Sequence, residues 1–371
     1  MPEADQTTTA LAVSALHPPL RLFGSDGKTH LNYDLILHNV FDAPVTVKSI
    51  EVLDGDGGSL LRLDGDKVAE FTTPVFPGAP TAVVPTGGSL ATVIDVVVPP
   101  DGVPERLTHR ISYEVGKSAF TSVIGTTDID GPELTVDPAA PTVIAPPVKG
   151  AEWLNANSCC DAQTPHRGLR LAVGGTSIKK PEEFAIDWVQ MNDRKLFSGD
   201  GSRNEDWYAY GDDLLAVADG TVAVVADDMS DQTPLAAAAG ITQPDDYSGN
   251  LVSLEISPGV FAIYAHAQPG SITVKPGDKV TKGQVIGKLG NSGNSSGPHL
   301  HFGLSDGPDI LSSNSLPFVL DSYQFAGMIG PKELSDPADV VGGSPKLTVT
   351  GPAGPQTDTY PLVYSVTDFP T

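Results

Sequence analysis

Turn-forming residues punctuate this chain throughout. Its 371 residues include 39 glycines and 33 prolines. Between them lie short runs in which apolar and polar residues alternate: "HLNYDLILHNV", "PVTVKSIEVL", "SLATVIDVVVP" and "RLTHRISYEV". A period of two sends successive side chains to opposite faces of a strand, and the recurring Val and Thr suit that pleated surface. The pattern predicts an all-β protein with many turns.

The runs group into regions. Residues 1–10 read as a flexible N-terminus. Over 11–135, roughly seven strands separated by turns such as "DGDGG" and "PTGG" predict an antiparallel β-sandwich of immunoglobulin-like type. Its histidines, His17, His30, His38 and His109, are scattered over unrelated strands and turns and read as surface or internally satisfied positions. Residues 136–150 carry Pro138, Pro141, Pro146 and Pro147; proline cannot donate to a ladder, so this stretch is expected to be a stiff extended linker. A second β-rich region, 151–328, contains "FAIDWVQM", "LLAVADGTVAVV", "NLVSLEIS", "VFAIYAHA" and "DKVTKGQVIGKLG", with a tight hairpin expected at Asp219-Gly220. An Ala-rich insertion over 226–249 reads as a lid or loop. The last segment, 329–371, is a Pro/Gly-rich extension whose "TYPLVYSVTDFP" predicts a closing strand.

Charge narrows the function. With 46 acidic against 22 basic residues the formal net charge is −24. Such a chain is repelled by nucleic-acid phosphates and anionic membrane surfaces. No apolar run is long enough to cross a bilayer. The first twenty residues lack the basic and apolar regions of a signal peptide, so the chain reads as either cytosolic or a mature form. The two cysteines, Cys159 and Cys160, are adjacent, which excludes a disulfide framework. They could close a small ring, pack as buried thiols, or add ligands to a metal.

The chemistry concentrates in the second region. "GNSGNSSGPHLHFGL" places His299 and His301 two residues apart on a strand, hence on one face. One can bind a metal while the other reaches a ligand on that metal. His266 ends the apolar run "VFAIYAHA", two residues after Tyr264, which reads as packing. Asp187 sits inside the apolar strand "FAIDWVQM", where an unpartnered carboxylate would be costly to bury. His166 is the fourth histidine of this region.

These motifs resemble the signature of lysostaphin-type (LytM-like) zinc metalloendopeptidases, metallopeptidase family twenty-three. The resemblance runs through "AVADGTVAVV", "GNLVSLEI", "YAHAQPGS", "VKPGDKVTKGQVIGKLG" and "GNSGNSSGPHLHF", over about 187–304. It implies a twisted antiparallel sheet of duplicated hybrid motif type with a groove across it. It implies hydrolysis of peptide cross-links in bacterial peptidoglycan, or of another Gly-rich peptide, by a zinc-bound water, in a secreted, extracellular or periplasmic setting. Asp187 and His301 would ligate Zn²⁺, and His266 and His299 would be catalytic, one taking a proton and the other donating to the developing oxyanion. The family takes its remaining ligand from His-x-x-x-Asp, but the residue four before Asp187 is Glu183. Either Glu183 or His166 could fill that place. The stretch 166–187 reads as a hairpin turning near Gly174-Gly175, and a six-residue loop there would set His166 opposite Asp187. His166 is favoured because imidazole restores the usual ligand set. Two other readings stand beside this one: a catalytically inactive scaffold or activator of wall hydrolases, and a carrier hairpin bearing a modified Lys282.

Overall fold

The computed structural model describes residues 7–76, 78–335, 344 and 346–370. The all-β expectation holds: 44% of the chain is strand and 6% helix. None of the helices among the described residues is long and apolar enough to cross a membrane. The chain divides into two units. One comprises residues up to Phe23, Gly27–Ala140 and Gly168–Arg170; the other comprises Gly24–Asp26, Pro141–Arg167 and residues from Leu171 onward.

The first unit is two antiparallel sheets. One runs Leu11–Ala15, Thr29–Asn39, Ser89–Val98, Thr72–Pro74, with Leu20–Phe23 also on Thr29–Asn39; the other runs Asp128–Asp130, Arg106–Val115, Val45–Asp54, Ser59–Asp64. The alternation read in "RLTHRISYEV" is realised: Leu107, His109, Ile111 and Tyr113 are buried, while Arg106, Arg110 and Glu114 face water. Inward residues of both sheets, among them Leu35, Ile94, Val52 and Ile111, form one apolar core, the layered arrangement that buries a face of each sheet. Of the N-terminal ten residues, 1–6 lie outside the described residues. Ala10 is buried and donates its N–H to the Tyr113 hydroxyl at 2.9 Å.

The second unit is organised by a twelve-stranded antiparallel sheet. Its order is Lys279–Val280, Gly220–Ala226, Leu251–Ser257, Val260–Ala265, Leu300–Ser305, Ile186–Gln190, Gly150–Asn157, Ser365–Phe369, Tyr323–Ile329, Val349–Thr350, with Ser315–Leu316 and Gly354–Gln356 flanking. Ser365–Phe369 lies within the run "TYPLVYSVTDFP" and pairs on both sides, with Gly150–Asn157 and Tyr323–Ile329. The proline-rich stretch departs from expectation. Thr142–Ile144 forms a parallel ladder with Phe318–Leu320. The prolines flank these three residues without falling on them, so their N–H groups remain available.

The 166–187 stretch departs too. Leu171–Val173 and Ser177–Lys179 form a hairpin with Val173 opposite Ser177, but His166 is not on it. It lies in a helical turn, Pro165–Gly168.

One buried histidine of the first unit makes its stability pH-dependent. His109 Nδ1–H donates to Pro132 O at 2.6 Å, and its Nε2 accepts from the buried Tyr33 hydroxyl at 2.7 Å. Burial pushes its pKa below the ordinary histidine range. A depressed folded pKa means that the unfolded chain binds more protons as the pH falls through about 6.5, so stability is lost on that side. Hydrogen exchange at amides of 106–115 should accelerate on going from pH 7 to pH 5 beyond the intrinsic pH effect, by up to about tenfold per pH unit. His109→Gln, although less stable at pH 7, should abolish the extra acid sensitivity.

Candidate metal centre

Cross-strand register builds the centre. Ile186–Gln190 pairs with Leu300–Ser305 so that Asp187 stands directly opposite His301, and His301 Nδ1 lies 3.0 Å from Asp187 Oδ1. On the other side, the Gly150–Asn157 strand brings Asn157 opposite Asp187, and its amide donates to Asp187 Oδ2 at 3.0 Å. His299, just before the His301 strand, turns its Nε2 to 3.6 Å from Asp187 Oδ1.

His166 arrives from the helical turn, with Nε2 3.2 Å from Asp187 Oδ2. Its Nδ1–H donates to Ala185 O at 3.0 Å, which leaves Nε2 as the ring atom that faces the group. One ligand atom from each of His166, Asp187 and His301 lies within 4.8 Å of the others. Two imidazoles and a carboxylate make a catalytic-type zinc donor set with one position open. Tetrahedral donors about 2.1 Å from zinc stand about 3.4 Å apart, close to the 3.2 Å from His166 Nε2 to Asp187 Oδ2 and the 3.0 Å from His301 Nδ1 to Asp187 Oδ1. The backbone carbonyl behind His166 is the kind of partner that orients a metal-bound imidazole.

Glu183 does not reach this group. It is buried and holds Arg167, and Lys180 Nζ lies 2.9 Å from its Oε1. Its neighbour Glu182, which the sequence reading did not single out, faces the centre instead. Glu182 Oε2 is 3.9 Å from His166 Nε2, and Tyr247 of the insertion donates to Glu182 Oε1 at 3.1 Å. Consecutive residues of this turn thus grip consecutive residues of the helical turn: Glu182 faces His166 and Glu183 holds Arg167. A hairpin register drawn through 166–187 could not have given that arrangement.

His266 completes the cluster. It follows the Val260–Ala265 strand in the left-handed region, φ 64°, and its ring lies 4.7 Å from that of His299, centre to centre. Its Nδ1–H donates to Ser292 O at 2.7 Å, and His299 Nδ1–H donates to Gly297 O at 2.9 Å. A carbonyl only accepts, so both rings carry their proton on Nδ1 and leave Nε2 basic.

The charge states divide. Burial, then neighbouring imidazoles, holds His266 well below the ordinary histidine range. Burial also lowers His299, against the pull of Asp187. For His166 burial works in the same direction, but Asp187 and Glu182 outweigh it and raise the group to about 9. Asp187 is desolvated, yet His166 and His299 keep its carboxyl well below the usual carboxylate range. The site therefore sets a charged His166–Asp187 pair beside two neutral imidazoles.

The remaining candidates lie elsewhere. Tyr264 is buried, and its hydroxyl accepts the Val217 N–H at 2.9 Å. Cys159 and Cys160 are disulfide-bonded to each other, so they offer no thiolate. The Lys282 ammonium pairs with Asp321 at 2.6 Å.

Comparison with known proteins covers part of this region. The model of peptidase family M23 matches residues 206–310, a span that includes His266, His299 and His301 but neither His166 nor Asp187. Peptidoglycan DD-endopeptidase ShyA of Vibrio cholerae is 41% identical over 64 residues, 17% of this chain and 14% of that protein. Peptidoglycan DD-endopeptidase ShyC of the same organism is 39% identical over 74 residues, 19% of this chain and 17% of that protein. The chain thus matches under a fifth of the length of these relatives. The catalytic domain of the antimicrobial peptidase lysostaphin from Staphylococcus simulans is 18% identical, with 44% of this chain and 88% of that one covered at a TM-score of 0.24. This chain carries a peptidase family M23 domain.

Proposed function

We propose that the chain is a zinc endopeptidase that hydrolyses peptide cross-links of bacterial peptidoglycan outside the cytoplasm. The observation that carries this is the convergence of His166, Asp187 and His301 within 4.8 Å, beside two neutral imidazoles. Bound zinc would polarise the scissile carbonyl and acidify a water. The wall substrate and the extracytoplasmic setting are supported by the relatives named peptidoglycan DD-endopeptidases.

The chain's own residues supply the proton handling. His299 Nε2 faces the donor set with an available lone pair and takes the proton of the attacking water. The resulting imidazolium returns it to the leaving amine. His266 carries its proton on Nδ1, where Ser292 O holds it. It can donate to a developing oxyanion only in the other tautomer, with that one proton on Nε2 instead. His166, protonated when no cation is present, must release its proton as zinc binds.

A cavity of about 330 Å³ contains all five side chains, with Glu182, Tyr247 and Ser248 on its walls. Glycines let two loops beside it close against each other. Gly293 and Gly249 adopt φ values of 75° and 61°, and a Cβ on either would meet the other segment's backbone at 2.6 Å or less. The inactive-scaffold reading draws on one observation, that Glu183 stands where the family has histidine, and metal content separates the two.

The protein purified without chelators should hold about one zinc per chain by elemental analysis and should release peptide fragments from purified sacculi. His301→Ala should abolish both, and a metal-free wild type with equal product would end the proposal. His166→Ala should lose zinc with the fold retained, whereas Glu183→Gln should keep stoichiometric zinc and lose stability instead. If the second variant, rather than the first, loses the metal, the ligand assignment is wrong.

A further inference from the structure

A second cavity, of about 620 Å³, opens beside the metal centre and shares Asp187, Ser296 and His299 with it. Its walls are apolar: Val189, Leu196, Trp207, Leu235, Ala237 and Pro298. Asp187, at the shared edge, is its one charged lining residue. Trp207 is fixed on several sides. Its indole N–H donates to Gly201 O at 3.0 Å, Phe197 packs 4.8 Å from it between ring centres, and a Cβ at Gly297 would meet its ring at 2.7 Å. The glycine lets the loop leading to His299 pass directly over the indole.

The opposite wall comes from the insertion, and it is pinned rather than loose. Leu235 N–H donates to Ser296 O at 2.7 Å. The Gln232 side chain donates to Ala239 O and Gly293 O at 2.9 and 3.0 Å and accepts the Ala239 N–H at 3.0 Å. Leu235 is 47% exposed and held at φ 61°. An apolar side chain held in the left-handed region and left open to water is an uncommon combination, and such outliers gather at binding sites.

The geometry points to a side-chain subsite formed by Trp207 and Leu235, which selects a large apolar side chain, such as leucine or phenylalanine, next to the scissile bond. The occupant is substrate because the cavity is continuous with the proposed catalytic histidine His299. A glycine or alanine at that position buries little against these walls, whereas a leucine or phenylalanine removes apolar surface of both partners from water. This inference rests on the peptidase reading and extends its substrate class beyond small-residue wall peptides to polypeptides with apolar side chains.

The test uses acetyl-Gly-Gly-Xaa-Gly-Gly-amide with Xaa as Gly, Ala, Leu or Phe. Binding is measured by calorimetry on the chelator-treated full chain, which prevents turnover, and cleavage is measured on the zinc-loaded chain. Leu and Phe peptides should bind at least about tenfold tighter than the Gly peptide and should perturb the fluorescence of Trp207. Leu235→Asn, a change that suits the left-handed backbone, should cut that preference to under about threefold. Equal or undetectable binding across the series, or a preference that survives Leu235→Asn, overturns the subsite. Discriminating binding without cleavage of any peptide or of sacculi would sustain the subsite and sink the peptidase reading. Cleavage of sacculi without discrimination would do the reverse.

Discussion

A half-buried carboxylate set among imidazoles is the constraint on which the rest of the second unit depends. Asp187 accepts from Asn157 and stands within 3.6 Å of nitrogens of His166, His299 and His301. Stripping it of water is unfavourable unless positive charge or donors replace that water. Each strand neighbour of Ile186–Gln190 contributes to that replacement: Asn157 from one side, and His299 and His301 from the other. A shift of either register by one residue would turn these side chains to the opposite face and leave the carboxylate without them. Two of these imidazoles, His166 and His301, together with Asp187 itself form the candidate donor set for a metal ion.

Compensation is also local, which explains the unequal charge states. His166 lies against Asp187 and Glu182 and is raised to about 9. His266 lies farther from the carboxylate, has other imidazoles as neighbours, and is held neutral. Backbone carbonyls at Ala185, Ser292 and Gly297 fix the Nδ1 proton of His166, His266 and His299. Three rings of one chemical type thus divide into one charged and two neutral through position alone.

The part of this centre written in local periodicity was legible in the sequence. The i, i+2 spacing of His299 and His301 and the lone carboxylate in "FAIDWVQM" are strand-level signals, and both residues flanking Leu300 do face Asp187. His166 was favoured on donor chemistry, but its expected place on a hairpin strand was wrong. The ladder of that hairpin begins only at Leu171, and a helical turn supplies the histidine instead. Glu182 and Glu183 show the limit: adjacent in sequence and identical in type, they take different partners because of the packing of Arg167, Lys180 and Tyr247, none of which is a periodic signal. The proline-rich 136–150 stretch misled for a similar reason. Prolines mark which residues cannot donate, whereas the ladder at Thr142–Ile144 was set by residues more than 170 positions away.

Backbone conformation adds the last layer. His266 leaves its strand at φ 64°, a region that costs a non-glycine residue roughly 1 kcal/mol or more. The cost is held in place by three bonds: its N–H to Ser248 O at 2.9 Å, its carbonyl from Gly290 N at 3.1 Å, and its ring to Ser292 O. Had the strand continued, a residue at this position would extend along the sheet; the left-handed turn instead brings the imidazole beside His299. Leu235, at φ 61° on the insertion, is held in the same way by a backbone bond to Ser296. Both outliers belong to segments tied to the Gly/Asn/Ser loop that leads to His299. That loop therefore does more than introduce the His-x-His strand: its backbone carbonyls hold the turned histidine on one side of the groove and the apolar wall on the other.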